Sequence, residues 1–369
     1  MRRKDTETLI FIAVVSGAIL AYELLLSRLL AVHYWSYFAS MIVSLAMLGF
    51  AASGTVLFLL SRRAPLKPSL VPWMAVALAV SIPLCPQLSE RIHCMPLVIL
   101  WNPGQLALFA ANYLVLSLPF FFGGFIIGAF LLAGNIAARR VYFANMLGSG
   151  AGVLLALLFL CDMPPARALC LPVPLVVLAA WPRAANRAQR AGLVVAVAAL
   201  ALPVLTAPST PTVSEYKGLS KLLLIPDAHL EHAAWNRFGH LAVVDSRTIR
   251  YAPGLSLTFP GRIPQQKAIF TNGDDMETVC RPQESRAAQR TFFNAMLSGA
   301  AYLFHDRPRT LIVGSGGGME VLGALARGAS RVDAIENNTG IARLMQGRLA
   351  GFAGRIYGKR RLKSVESKE

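Results

Sequence analysis

Long apolar runs fill most of residues 1–207, and they constrain the fold more than any other feature of the sequence. A helix needs about 20 apolar residues to cross the roughly 30 Å hydrocarbon core of a bilayer. Seven runs approach or exceed this length, with an uncertainty of one span, at 8–32, 36–60, 70–88, 106–133, 141–161, 168–181 and 191–205. Because the chain is also 55% hydrophobic and only 15% charged, the sequence predicts a multi-span α-helical membrane domain over residues 1–207.

Basic residues cluster in alternate loops between these runs. The clusters lie at 2–4, 62–67, 139–140 and 183–190. Since cytoplasmic loops carry an excess of Lys and Arg, the N-terminus is predicted to be cytoplasmic, as in a protein of the bacterial inner membrane. Seven spans would then place the C-terminal part outside the cytoplasm.

The net charge of +17 does not predict a nucleic-acid partner. Residues 1–207 hold 14 basic and 5 acidic residues, and the basic ones lie between apolar runs, where they set topology. Residues 208–369 hold 22 basic and 14 acidic residues that are spread out rather than gathered on one segment. The lipid bilayer is the partner that the apolar runs predict, and a homo-oligomer remains open.

The five cysteines include no C-x-x-C pair and no histidine at metal-ligand spacing, so no metal site is expected. Cys85 and Cys94 flank one predicted outer loop, and Cys161 and Cys170 flank another. Disulfides would form there in an oxidising compartment, but buried thiols are the favoured interpretation.

Three polar residues lie inside the apolar runs, namely Glu23, Arg28 and Asn145. A charge inside a bilayer costs at least about 2.5 kcal/mol. One hypothesis is therefore an intramembrane ion pair or a polar site facing the bundle interior. The alternative is structural, with Arg28 reaching the interface and Glu23 protonated or paired. Two glycine pairs predict close helix packing instead: Gly124 with Gly128, and Gly148 with Gly152.

The hydropathy pattern changes after a Pro, Ser and Thr-rich linker at 206–213. Residues 239–245 resemble a strand, and 267–273 resemble a strand that enters an Asn-Gly turn. Residues 285–304 have the pattern of an amphipathic helix. We therefore expect a linker and small β-rich subdomain over 208–284, followed by an α/β domain over 285–369.

The most informative motif is a glycine-rich turn between a predicted strand and a predicted helix. An apolar strand from Arg309 leads into Gly-Ser-Gly-Gly-Gly, a helix of about ten residues follows, and a second strand ends at Glu336. Such a turn leaves backbone N–H groups free at a helix N-terminus, and a carboxylate at the end of the second strand can accept both hydroxyls of a ribose. The dinucleotide fingerprint would require glycine where Met319 stands. The spacing instead favours an S-adenosylmethionine-type nucleoside, and the alternative is a purely structural turn.

The predicted cofactor-binding residues are those of the turn and of the strand end. They are Gly314, Ser315, Gly316, Gly317, Gly318, Glu336 and Asn337.

Four stretches together resemble the membrane-fused spermidine synthase-like proteins. They are 16–28, 142–152, 235–246 and the strand-helix-strand unit at 309–338. The resemblance implies an integral membrane domain joined to a Rossmann-like, class I methyltransferase-like domain. It also implies aminopropyl or methyl transfer to a polyamine or other small amine from S-adenosylmethionine or decarboxylated S-adenosylmethionine. The alternatives are a non-catalytic homologue, and a transporter or sensor whose soluble part is regulatory.

The chain departs from that family's pattern where an amine substrate would be recognised. Gly317 stands where the family's turn has an acid, and Met276 stands where the family has a glutamine. The segment 293–297 lacks the family's histidine and glutamate. No catalytic residue is assigned, and the nearby acids are Glu320, Asp274 and Asp275.

About 31 residues follow Asn338, fewer than a seven-stranded sheet of this class requires. We therefore expect an incomplete α/β domain with open strand edges. A truncated product is the favoured interpretation, and a short form that pairs with another chain is the alternative. Because S-adenosyl cofactors are made in the cytoplasm, we favour that side for the soluble domain, which conflicts with a count of seven spans.

Overall fold

The computed structural model describes residues 3–34, 40–92, 94–95, 98–160, 163–200, 211–358 and 362–366. The chain divides into two compact units, Met1–Pro211 and Thr212–Glu369. They are called the membrane unit and the C-terminal unit, and each is described by itself.

The membrane unit is helical. Its helices are α1 Arg3–His33, α2 Ile42–Arg63, α3 Leu70–Arg91, α4 Gly104–Ala133, α5 Ala138–Phe159, α6 Pro165–Ala168, α7 Pro172–Ala180 and α8 Arg187–Ala198. Six helical segments among the described residues are long and apolar enough to cross a membrane: α1 to α5, and Pro165–Arg183, which contains α6 and α7. These segments indicate an integral membrane protein.

The predicted seventh span, 191–205, is not confirmed. Its described part belongs to α8, which has only 12 residues, and residues 201–205 lie outside the described part of the chain. The beginning of the predicted second span and Cys161 also lie outside the described residues. Cys85 and Cys94 are buried free thiols, as is Cys170, which agrees with the favoured interpretation.

Helix α1 is central to the membrane unit and contacts α4, α5, α6 and α7. The Tyr22 hydroxyl donates a hydrogen bond to the carbonyl of Leu116 on α4 over 3.1 Å. The Tyr22 ring also packs edge-on against Phe120, with 5.3 Å between ring centroids. Tyr22 is thus buried with its polar atom satisfied, as a lipid-embedded hydroxyl requires.

Glycines allow two pairs of helices to approach closely. A Cβ added at Gly17 on α1 would lie 2.8 Å from the carbonyl oxygen of Gly148 on α5. A Cβ added at Gly128 on α4 would lie 2.6 Å from Leu57 on α2. The predicted packing role of the glycine pairs is confirmed, because a larger side chain would force these helices apart.

The C-terminal unit contains two small sheets and four short helices among its described residues. The elements are α9 Gly218–Leu223, β1 His229–Asn236, β2 Gly239–Asp245, β3 Gln266–Thr271, β4 Asp275–Cys280, α10 Arg286–Asn294, β5 Arg309–Val313, α11 Met319–Ala326, β6 Arg331–Glu336, α12 Thr339–Gln346 and β7 Leu362–Glu366. Strands β1 to β4 form an antiparallel sheet in chain order. Strands β5 to β7 form a parallel sheet in chain order.

Local sequence signals located two of the four strands of the first sheet, β2 and β3. The predicted strand 239–245 coincides with β2. Between β3 and β4, Asn272 and Gly273 both have positive φ, at 53° and 78°, as an Asn-Gly hairpin turn requires.

The predicted helix at 285–304 is wrong in length. Helix α10 begins after Ser285, whose hydroxyl caps it, and ends at Asn294. Beyond that point the Leu297 N–H donates to the carbonyl of Gly254 over 2.8 Å, and the Ser256 N–H donates to Ala295 over 2.9 Å. These tertiary hydrogen bonds replace the helical ones, so the chain continues as a 3₁₀ turn.

The segment 309–336 forms the predicted strand-turn-helix-strand unit, with β5 and β6 parallel. Buried side chains of β6, α11 and α12 join those of β2 to β4 in one apolar core, which includes Val332, Val321, Ile341 and Ile269. Strand β5 is an edge strand in the described sheet. Its Leu311 and Val313 side chains are 63% and 73% exposed.

Candidate functional site

The glycine turn, Gly314–Gly318, links β5 to α11. The N–H groups of Gly314 and Ser315 both donate to the carbonyl oxygen of Ile335 on β6, over 2.9 and 3.1 Å. Gly314, Gly316 and Gly318 have positive φ angles of 74°, 49° and 79°. Residues with side chains rarely adopt this conformation, so glycine at these positions is explained by the path of the turn.

Glu336 lies at the end of β6, as predicted, and its carboxylate is buried beside the turn. Its Oε2 accepts a hydrogen bond from the Gly316 N–H over 2.7 Å. Its Oε1 accepts one from the Asn338 N–H, also over 2.7 Å. The carboxylate therefore joins the glycine turn to the start of α12, and each oxygen keeps a further lone pair that can accept a ligand hydroxyl.

The sequence predicted that the glycines of the turn bind a cofactor, but three of them are required by packing inside the protein. A Cβ at Gly316 would collide with the carboxyl of Glu277 on β4, and one at Gly317 would collide with the backbone of Thr278. A Cβ at Gly318 would collide with Ile356. Only at Gly314 does an added Cβ find no described atom within 4 Å. Gly314 is thus the position where the turn is open to a ligand.

Asn337 and Asn338 differ from the sequence expectation. Asn337, predicted to bind the cofactor, is exposed. Asn338 is buried, and its side-chain oxygen accepts from the Gly340 N–H over 3.1 Å and from the Asn236 side chain over 2.7 Å. An asparagine directly before an amphipathic helix is a capping signal, and that signal would have identified Asn338.

Tyr357 is a second residue that sequence reasoning missed. Its hydroxyl lies 3.0 Å from Ser315 Oγ and 3.1 Å from the carbonyl oxygen of Gly316. Burial raises the pKa of this hydroxyl to about 12, so it stays protonated and donates to the turn. No local pattern predicts this contact, because Tyr357 is 42 residues from Ser315 in the chain.

Glu277 on β4 is the third missed residue. Its Oε2 is buried and has no hydrogen-bond partner among the described residues. Burial raises the pKa of the Glu277 carboxyl, the nearby Glu336 carboxylate raises it further, and a hydrogen bond from the Gly317 backbone opposes the rise. Two carboxyl groups therefore flank the glycine turn, and only that of Glu336 has both oxygens hydrogen-bonded.

The other acidic residues near the glycine turn are exposed to solvent. Asp274 and Asp275 are exposed in and beside the β3–β4 turn, and Glu320 is exposed in the first turn of α11. Met276 packs against an apolar cluster that includes Phe270. The position where the family resemblance would place a glutamine is thus part of a hydrophobic core.

The polar residues of the membrane unit are only partly brought together. Asn145 on α5 meets Ser16 on α1, whose hydroxyl donates to the Asn145 side-chain oxygen over 2.7 Å. Glu23 and Arg28 are both described and half-buried, and no ion pair joins them. Ser16 is about 10 Å from Glu23 along the axis of α1, so the structure supports a Ser16–Asn145 contact rather than one polar cluster of all the predicted residues.

Comparison with known proteins adds no further constraint. No family model, no curated protein and no solved structure matches this chain.

Proposed function

We propose that the C-terminal unit binds an S-adenosyl-type nucleoside, S-adenosylmethionine or its decarboxylated form, at the glycine turn. The carrying observation is that Glu336 lies buried at the end of β6 and holds the turn by the Gly316 N–H. A turn fixed in this way presents backbone and carboxylate to a nucleoside without needing to rearrange. The proposal includes a Rossmann-like, class I methyltransferase-like arrangement of β5, α11 and β6.

The residues present fit such a ligand. The free lone pairs of the Glu336 carboxylate would accept the ribose hydroxyls. The open side of Gly314 would let the nucleoside approach the turn. Tyr357 would keep the turn in place through Ser315 and Gly316.

The reaction class that follows is transfer of an aminopropyl or methyl group to an amine. When bound, the cofactor would supply an electrophilic carbon whose bond to sulfur breaks to release a neutral thioether, and the protein would contribute chiefly by holding the two reactants in line. The amine must lose a proton during transfer. Asp274, Asp275 and Glu320 are the nearby acids, and their exposure leaves the base unassigned.

The number of spans supports a cytoplasmic location for this unit. The six candidate spans among the described residues are an even number, which would return the chain to the side of its N-terminus. The basic loops place that side in the cytoplasm of a bacterial inner-membrane protein. A cytoplasmic C-terminal unit would meet an S-adenosyl cofactor where it is made.

The test compares two glycine substitutions in the full chain, purified in detergent. Gly314 and Gly328 both have positive φ, at 74° and 86°, and neither has a described atom within 4 Å of an added Cβ. Gly314→Leu and Gly328→Leu therefore impose similar backbone strain, but only the first fills the proposed site. Binding of radiolabelled S-adenosylmethionine and its decarboxylated form is measured by equilibrium dialysis.

We expect Gly314→Leu to weaken binding at least tenfold and Gly328→Leu to leave it within twofold of the unsubstituted chain. Glu336→Gln should also weaken binding, because an amide removes one acceptor oxygen. Asp333→Asn on the same strand is its control. Absence of binding by the unsubstituted chain, or equal binding by both glycine variants, would refute the proposal.

A further inference from the structure

Glu277 is a half-buried residue whose carboxyl group the fold leaves incompletely hydrogen-bonded. Its Oε2 has no hydrogen-bond partner among the described residues. It lies against the glycine turn, so closely that a Cβ at Gly316 would collide with it. A buried polar atom without a partner costs free energy, which makes this oxygen a candidate for a ligand contact.

The charges around Glu277 are negative. Glu336 and Asp275 are the charged groups that act on it, and both favour its neutral form. No described ion pair includes Glu277. A positive charge bound beside the turn would offset the repulsion between Glu277 and Glu336 and would give Oε2 a partner.

The two carboxyl groups are thus equipped for different parts of one ligand. Glu336 is held by two backbone N–H groups and suits neutral hydroxyls. Glu277 approaches from a different strand, β4, and lacks an opposite charge. We propose that Glu277 recognises the positive charge of the nucleoside, carried by its sulfonium or ammonium group, and so selects the cationic cofactor over neutral nucleosides. This inference rests on the proposed nucleoside site.

The sequence pattern did not predict that Glu277 lies beside the glycine turn. Gly317 occupies the turn position where the resembled family has an acid. The backbone of Thr278 fills the space that a Cβ at Gly317 would need. An acid in the turn would therefore clash with β4. Glu277 supplies a carboxylate to the same turn from the neighbouring strand instead.

The experiment uses two ligands that share adenosine and sulfur but differ in charge. Decarboxylated S-adenosylmethionine carries a sulfonium and an ammonium group, whereas 5′-methylthioadenosine is neutral. Their dissociation constants are measured by equilibrium dialysis with the full chain in detergent. The variants are Glu277→Gln, which is nearly isosteric, and Glu284→Gln, which makes the same change at an exposed glutamate four residues after β4.

We expect the unsubstituted chain to bind the cationic ligand at least tenfold more tightly than the neutral one. Glu277→Gln should bring that ratio close to one while leaving the affinity for 5′-methylthioadenosine unchanged, which also shows that the variant is folded. Glu284→Gln should keep the original ratio.

The outcomes separate the two proposals. If the unsubstituted chain binds both ligands equally, or if Glu277→Gln keeps the original ratio, charge recognition by Glu277 is refuted and the nucleoside site stands. If Glu277→Gln also loses 5′-methylthioadenosine, the residue is structural and the inference is refuted. If the unsubstituted chain binds neither ligand, the proposed function falls together with the inference.

Discussion

Single buried polar side chains decide much of the chemistry of the C-terminal unit. Glu336 and Asn338 have partners that hold the glycine turn to α12. His240 is buried and Glu277 is half-buried, and each has side-chain atoms that lack partners among the described residues. Polar groups of the first kind stabilise one arrangement of the backbone, and those of the second kind make stability sensitive to pH or to a ligand.

Because His240 on β2 is buried, we expect the folded chain to lose stability in acid. Its side chain is 2% exposed and lies against Trp235, with ring centroids 5.0 Å apart. Burial lowers the pKa of His240 to about 4 from an ordinary value of 6.5. Below pH 6.5 the unfolded chain binds a proton that the folded chain excludes, so folding stability should fall between pH 6.5 and 4 by up to about 3 kcal/mol.

The measurement is denaturant unfolding of the full chain in detergent at several pH values from 7 to 4. His240→Gln should remove this part of the pH dependence, whatever its effect at neutral pH. His229→Gln changes an exposed histidine and should keep the original slope. A His240→Gln variant with the slope of the unsubstituted chain would contradict the assignment.

At the scale of elements, glycine lets backbone segments approach each other in both units, but for a different reason in each. In the membrane unit, glycines on straight helices let α1 approach α5. In the C-terminal unit, glycines with positive φ turn the chain sharply between β5 and α11. The first use depends on side-chain volume alone, whereas the second depends also on backbone conformation.

Gly148 and Gly150 on α5 provide a matched pair that tests the first use. A Cβ at Gly148 would collide with the backbone of Ala13 on α1, whereas a Cβ at Gly150 has no described atom within 4 Å. Gly148→Val should therefore destabilise the membrane unit by about 1–3 kcal/mol through overpacking. Gly150→Val should change stability by less than about 1 kcal/mol, because valine and glycine at an exposed helix position differ only slightly in helix propensity.

Unfolding by titration with sodium dodecyl sulfate in mixed micelles measures this difference. Equal midpoints for the two variants would show that α1 and α5 do not pack through Gly148.

At the scale of the whole molecule, the number of spans decides which compartment the C-terminal unit meets. Six segments qualify as spans among the described residues, and the basic clusters predict that alternate loops are cytoplasmic. The loop between α2 and α3 and the chain after Pro165–Arg183 should then share the side of the N-terminus. The loop between α3 and α4 should lie on the opposite side.

Reporter fusions after Pro65, Pro103 and Thr212 test this topology in a bacterial host. Alkaline phosphatase is active only outside the cytoplasm, and green fluorescent protein fluoresces when fused on the cytoplasmic side. We expect fluorescence at Pro65 and Thr212 and phosphatase activity at Pro103. Phosphatase activity at Thr212 would establish a seventh span and would remove the C-terminal unit from the source of the proposed cofactor.

Local patterns predicted the elements that local physics controls. Apolar runs of sufficient length predicted six of the membrane segments, because lipid requires every spanning backbone to satisfy its own hydrogen bonds. The Asn272–Gly273 turn and the glycine turn were predicted because a positive φ is a property of one residue. The helix at 285–304 was too long in the prediction, since hydrogen bonds to Gly254 and Ser256 lie outside any local window.

The sequence by itself determined a membrane-embedded first part, a strand-turn-helix-strand unit and the location of Glu336 at a strand end. Only the tertiary structure decided what each carboxylate touches. Glu277 and Tyr357 reach the glycine turn from β4 and from the chain after α12. Their contacts depend on how separate elements pack into one core, and packing is set by the shapes of all the side chains together. For that reason the turn and Glu336 were predicted from the sequence, whereas the approach of Glu277 to the turn was visible only in the fold.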